Sequence, residues 1–166
     1  MIQVYTGGGK GKTTAALGLA LRAAGAGLKV YIAQFIKGKS CSEHRALKKF
    51  KDIKIEQFGS GCFVKKISKG DRELFRSGLA AVKKSLKNKK YDVIILDEIN
   101  VALKLGLLDC NELIRILKGV PKKREVILTG RDAPCGILEL ADLVSEIKEV
   151  KHYFHKGVSA RKGIEY

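Results

Sequence analysis

The stretch "MIQVYTGGGKGKTTAALGLALRAAG", residues 1 to 25, sets the reading of the whole chain. Ile2 to Tyr5 form a short apolar run rich in β-branched residues, four glycines and two lysines fill positions 7 to 12, and Thr13 to Ala24 follow with helical spacing. Strand, glycine loop and helix in that order build a phosphate cradle. Gly7, Gly8, Gly9 and Gly11 let successive backbone N–H groups turn inward, and the helix adds its positive N-terminal end. Lys10 and Lys12 supply charge, Thr13 offers a hydroxyl to Mg²⁺, and Thr14 completes the loop as an ATP-binding residue. The pattern G-x-x-x-x-G-K-[ST] would place glycine at residue 6, where this chain has Thr6. A plain glycine turn explains Gly11 but not two lysines directed into one turn.

Further apolar runs recur at Val30 to Phe35, Ile53 to Phe58, Val93 to Leu96, Val126 to Leu128 and Leu143 to Ile147. Segments with helical spacing lie between most of them, at Arg72 to Leu86, Asn111 to Leu117 and Ile137 to Ala141. Continuous apolar strands alternating with helices indicate a doubly wound α/β fold with a mostly parallel sheet of about six strands, covered on both faces. One domain over residues 1 to 166 suits the length. Ligands bind such sheets at the carboxyl ends of the strands. There, "YDVIILDEIN" (91 to 100) ends a strand in Asp97 and Glu98, which either hold the magnesium or cap the next helix. "ILTGRDAP" brings Arg131 to the same edge, with a surface role as its alternative, and offers Asp132 as a helix N-cap. "IKGKSCSEH" (36 to 44) and "GSGCFVKKISKGD" (59 to 71) read as long functional loops.

The chain carries a net charge of +16, and residues 37 to 90 hold most of it, with 17 Lys or Arg against 5 Asp or Glu. Such a region attracts nucleic acid, an acidic protein or an anionic substrate, or is a solvated surface. Nucleic acid is disfavoured because lysines outnumber arginines 25 to 8, tryptophan is absent, and aromatics do not interleave with the basic residues. No apolar run approaches a membrane span, and a phosphate loop beginning at residue 7 leaves no room for a signal peptide, so a cytoplasmic protein is expected. Cys41, Cys62, Cys110 and Cys135 lie far apart and read as free thiols. His44, His152 and His155 are scattered and read as surface residues.

The loop and acidic strand end alone support only a nucleotide-dependent protein. Beyond them, "TGGGKGKTTAALGLALRAAGAGLKVYIAQFIKG", "VIILDEIN", "VILTGRDAP" with "LELADLVSEI", and "VKH" followed by "GVSARKGIEY" occur in order along essentially the whole chain. In these the sequence resembles the P-loop type ATP:cob(I)alamin (corrinoid) adenosyltransferases. The resemblance implies a RecA-like P-loop fold and transfer of the 5′-deoxyadenosyl group of ATP to Co(I) of a reduced corrinoid such as cob(I)alamin, releasing triphosphate, in cobalamin synthesis or salvage. The nucleophile is then the cobalt of the substrate, and the loop's task is to stabilise a triphosphate leaving group. By the same resemblance Lys10, Lys12 and Glu98 are catalytic, Thr13, Glu98 and Asp97 bind the metal, and Arg22 and Arg131 join the loop in binding ATP, with a solvent-facing role as Arg22's alternative. Phe63 faces the corrinoid, although the tryptophan usual two residues later is replaced by Lys65. The tail also departs from the family pattern, with Lys151-His152-Tyr153-Phe154 for K-H-P-Y and Ser159 where lysine is common. It could cover the nucleotide or join a dimer. A homodimer and a flavoprotein reductase are the implied partners; the competing reading is a RecA-like or regulatory ATPase whose basic region binds nucleic acid or a protein.

Overall fold

The computed structural model describes residues 1–61 and 67–166. Six strands, β1 (Ile2–Thr6), β2 (Val30–Lys37), β3 (Ile53–Gly61), β4 (Val93–Asp97), β5 (Glu125–Thr129) and β6 (Leu143–Glu146), form one sheet in the order β3-β2-β4-β5-β1-β6. Every pairing is parallel, as continuous apolar strands joined by helical crossovers require. Among the described residues six α-helices accompany it, α1 (Lys12–Gly25), α2 (Ser42–Leu47), α3 (Lys69–Lys87), α4 (Ile99–Lys104), α5 (Cys110–Lys118) and α6 (Cys135–Leu140), with one 3-10 turn at Tyr153–Lys156.

Strand residues alternate between two cores, which is why the strands read as unbroken apolar runs. Val30, Ile32, Val93, Ile95 and Ile127 pack with Ala16, Ala20 and Ala23 of α1 and Leu47 of α2. On the other face Tyr31, Ala33, Phe35, Ile94, Leu96, Val126 and Leu128 meet α3 to α6. The alanine stripe of α1 lets that helix lie close on the sheet. Gly78 does the same for α3, since a Cβ there would fall 2.5 Å from Cγ of Phe58.

All six expected strands form, with β2 and β3 running on to Lys37 and Gly61. Both supposed loops are correspondingly shorter. Two six-residue helices, α2 and α4, arise where too few residues exist to show a period. Ser68 caps α3, its Oγ accepting from Asp71 N–H, and Asp71 accepts from the Ser68 N–H and from the Ser60 and Ser68 hydroxyls. That ties the end of β3 to the start of α3. Asp132 is not a helix cap: Pro134 precedes α6, while Asp132 pairs with Lys104 at 2.6 Å. Cys110 and Cys135 are free thiols, and Cys62 and Phe63 lie outside the described residues. No helix among the described residues is long and apolar enough to cross a membrane.

Candidate active site

The loop between β1 and α1 opens at the carboxyl edge of the sheet, where parallel strands deliver all their exits. Gly7 (φ 97°) and Gly11 (φ 120°) adopt the left-handed region that favours glycine. A Cβ on Gly7 would sit 2.5 Å from the Ile147 carbonyl, and the Gly9 N–H donates to that same oxygen at 2.8 Å. The loop is thus seated against the chain leaving β6. Thr6 needs no glycine: it ends β1 in ladder register with Glu146, and its Oγ1 accepts from the Ala133 N–H at 3.3 Å.

Lys12 is buried, and its ammonium donates to the Gly7 and Gly9 carbonyls at 2.7 and 2.6 Å. Burial and then the nearby Arg131 charge push its pKa below the ordinary lysine value. An added polyanion would therefore find a cation already desolvated and preorganised. Lys10, more exposed, donates to the Tyr153 hydroxyl (2.7 Å), the Ile164 carbonyl (3.2 Å) and the Glu165 carboxylate (2.8 Å). The closing segment therefore returns to the loop of its own chain. Arg161 stacks on Tyr153 at 4.8 Å, its N–H donates to Glu165 at 2.6 Å, and the Ser42 hydroxyl donates to the Tyr166 carbonyl at 3.1 Å. Hydrogen bonds from Lys10 and then Tyr153 hold the Glu165 carboxyl well below the usual carboxylate range.

Asp97 is the hub of the acidic strand end and is fully buried. Its Oδ1 accepts from Thr13 (2.9 Å) and Thr129 (2.7 Å), and its Oδ2 from Gln34 (3.0 Å) and Lys37 (2.8 Å). Glu98 follows at φ 62°, a strained setting for a residue with a side chain, and its N–H donates to Thr129 Oγ1 at 2.9 Å. Burial, then the neighbouring Asp97 charge, raises its carboxyl pKa. Lys37 also donates to Thr13 Oγ1 at 2.9 Å and lies 3.9 Å from Glu98 Oε1. One ammonium thus touches the three groups expected to bind a metal.

Four residues of this network, Thr129, Lys37, Gln34 and His44, had no such role in the sequence reading. Lys37 lay in the stretch 36 to 44, which read as a functional loop with no single residue singled out, and Gln34 inside an apolar strand. His44 is corrected outright: it is buried, 3% exposed, rather than a surface residue. Its Nδ1 accepts the Cys41 N–H at 2.8 Å, so Nε2 carries the proton and donates to Gln34 Oε1 at 2.6 Å. Cys41, Glu43 and His44 bring ligand atoms within 4.8 Å of one another, but this pairing leaves the imidazole no lone pair for a metal. The signal available was the period-two pattern of β2, which places Gln34 opposite the flanking Ala33 and Phe35.

The structure brings Gly7 to Thr14, Asp97, Glu98 and Arg131 to one edge. Arg131 is exposed just beyond β5. Arg22 lies in the last turn of α1, about 15 Å along the axis from Lys12 at 1.5 Å per residue, and is exposed.

A parallel sheet with a glycine loop after one inner strand and an acidic end on β4, separated from β1 by β5, defines the P-loop class of α/β proteins. A KaiC-like protein from Pyrococcus horikoshii OT3 shares the fold, with a TM-score of 0.53, 20% identity, and coverage of 89% of this chain and 71% of that one. Within that class the chain belongs to the family described as ATP:corrinoid adenosyltransferase BtuR/CobO/CobP, whose model matches residues 1–166. It is similar to the corrinoid adenosyltransferase of Escherichia coli (strain K12), 38% identical over 100% of this chain and 85% of that protein. The corrinoid adenosyltransferase CobA of Salmonella typhimurium is 39% identical with the same coverage, and that of Pseudomonas aeruginosa 34% over 100% and 83%.

Proposed function

We propose that this protein transfers the 5′-deoxyadenosyl group of ATP to the Co(I) centre of a reduced corrinoid. The cobalt electron pair forms the Co–C bond, the bond between C5′ and its phosphate oxygen breaks, and that oxygen leaves as part of triphosphate. The observation that supports this reading is the convergence of the loop N–H groups, Lys10, Lys12 and Arg131 on one edge of the sheet, in a chain of this family. A leaving triphosphate spreads its negative charge along three phosphorus centres, and an extended row of cations stabilises it better than a single point charge. Lys12, held by the loop carbonyls, keeps its place as charge develops. Lys10 is held by the tail and becomes available as Glu165 is exchanged for phosphate.

Thr13, Asp97 and Glu98 offer the hard oxygen donors that magnesium prefers, and the Lys37 ammonium seated among them supports reading this spot as one suited to a cation. When bound there, Mg²⁺ would neutralise phosphate charge; Thr129 and Gln34 hold Asp97 in position for it. Phe63 is proposed to face the corrinoid. The exposed cations of α3, among them Lys69, Arg72, Arg76 and Lys84, offer a docking surface for an acidic flavoprotein that supplies the electron. A cytoplasmic homodimer completes the reading, and the free edge of β6, with Leu143 and Val144 nearly half exposed, is a surface a second copy would cover.

The test is an anaerobic incubation with ATP, Mg²⁺ and chemically reduced cob(I)alamin, following the cobalt spectrum and the phosphate product together. A light-sensitive Co–C species with stoichiometric triphosphate is expected. Cobalt that stays reduced while ADP and phosphate accumulate would overturn the reading in favour of an ordinary ATPase.

A further inference from the structure

Lys37 is placed by an unusual stretch of backbone. Between Phe35 and Lys37 the β2–β3 register shifts, so that Lys37 pairs with Gly61, and Ile36 within the bulge has φ 68°, a conformation rare for a β-branched residue. Strict alternation would put Lys37 on the same face as Phe35, against α3. The bulge gives that face to Ile36 and carries Lys37 round to α1 and Thr13. Two glycines make the bulge possible. A Cβ on Gly38 would lie 2.3 Å from the Gly59 carbonyl oxygen, and one on Gly59 would lie 2.3 Å from the Ile36 carbonyl carbon. Strain concentrated at one residue and maintained by two close backbone contacts marks a position with a task.

We propose that Lys37 is a resident counter-ion that keeps free divalent metal out of the site until a nucleotide brings it, so that metal and triphosphate enter together. The inference rests on reading Thr13, Asp97 and Glu98 as the metal site. With its ammonium 2.8 Å from Asp97 Oδ2 and 2.9 Å from Thr13 Oγ1, Lys37 occupies the position from which a divalent ion would reach both oxygens. A second cation sharing those ligands would meet strong repulsion in a site where Asp97 is fully buried. Metal alone would thus have to expel the lysine with nothing to receive it. A triphosphate changes the balance, because its oxygens can accept the displaced ammonium, and the flexible four-carbon stem lets Lys37 swing to them. Between turnovers the same charge compensates Asp97, which would otherwise be a buried unpaired carboxylate.

The test is Mn²⁺ binding without nucleotide, measured by electron paramagnetic resonance of the free ion, in wild type, Lys37→Met and Lys37→Gln, with thermal unfolding in the same solutions. Wild type is expected to bind Mn²⁺ alone weakly and tightly once ATP is present. Both variants are expected to bind Mn²⁺ alone about tenfold more tightly than wild type, and to gain thermal stability from it. Lys37→Arg, which keeps the charge, should exclude the metal as wild type does. If Lys37→Met folds only with Mn²⁺ present, that rescue supports the inference, and failure of rescue counts against it. Equal Mn²⁺ affinity in wild type and both neutral variants without nucleotide overturns it, while leaving the metal site intact if ATP still recruits Mn²⁺. A wild type that fails to bind Mn²⁺ even with ATP removes the metal site and the inference together.

Discussion

Gly59→Ala probes the contact that aims Lys37. The new Cβ would stand 2.3, 2.5 and 2.6 Å from the carbonyl carbon and oxygen of Ile36 and the nitrogen of Lys37. Carbon contacts are comfortable at about 3.5–4.0 Å. All three neighbours are backbone, so no rotamer relieves the overlap; β3 must move away from β2 or the bulge must unbuckle. Overpacking of this kind costs about 1–3 kcal/mol. At the middle of that range, and at roughly 2–4 °C per kcal/mol for a chain of this size, Tm should fall by roughly 4–8 °C. Gly18→Ala serves as the control of opposite sign, because Gly18 sits inside α1 with nothing within 4 Å of the added Cβ. There alanine should stabilise by about 0.5–1 kcal/mol through helix propensity. Thermal unfolding by circular dichroism, with urea melts to check that m is unchanged, decides both. A Gly59→Ala protein that melts within about a degree of wild type, against the overpacking cost used here, would refute the close-contact argument.

Asp97→Asn puts an amide N–H₂ among four donors, from Thr13, Thr129, Gln34 and Lys37, and should lower stability by about 3 kcal/mol as well as abolish adenosyl transfer; urea melts and the cobalt assay check the two effects separately. His44→Phe leaves the buried Gln34 Oε1 without its donor and should cost about 1–3 kcal/mol, with weaker Mn²⁺–ATP binding as Gln34 loosens its hold on Asp97. The depressed Glu165 carboxyl predicts that tail docking is complete at neutral pH and is lost as pH falls below the ordinary glutamate range. Hydrogen exchange over residues 153–166 should show this, and Glu165→Gln should release the tail at every pH. Reversing Lys69, Arg72 and Lys84 to glutamate should slow reductase-coupled activity at low salt while leaving activity with chemically reduced corrinoid unchanged.

The strands and the phosphate loop could be read from sequence because their signals are local. A parallel strand buried on both faces must be apolar throughout, so Val93 to Leu96 announces itself, and a loop that wraps phosphate must concentrate glycine and lysine. Asp97 and Glu98 stood out because they end such a strand. The short helices α2 and α4 did not, since six residues hold less than two turns and show no period.

What remained depended on distance along the chain. Lys10 meets Glu165 across more than 150 residues, and His44 reaches Asp97 only through Gln34, contacts that no spacing in the sequence encodes. Lys37 is the sharpest case. In sequence it is one lysine among many in a basic region, and its alternation with Phe35 points it to the wrong face. Only the close approach of β2 and β3 at Gly38 and Gly59, which forces Ile36 into a left-handed turn, carries its charge to the buried carboxylate. Burial pattern and loop composition are properties of neighbours in the chain, whereas the partner of a charge is chosen by how the layers pack.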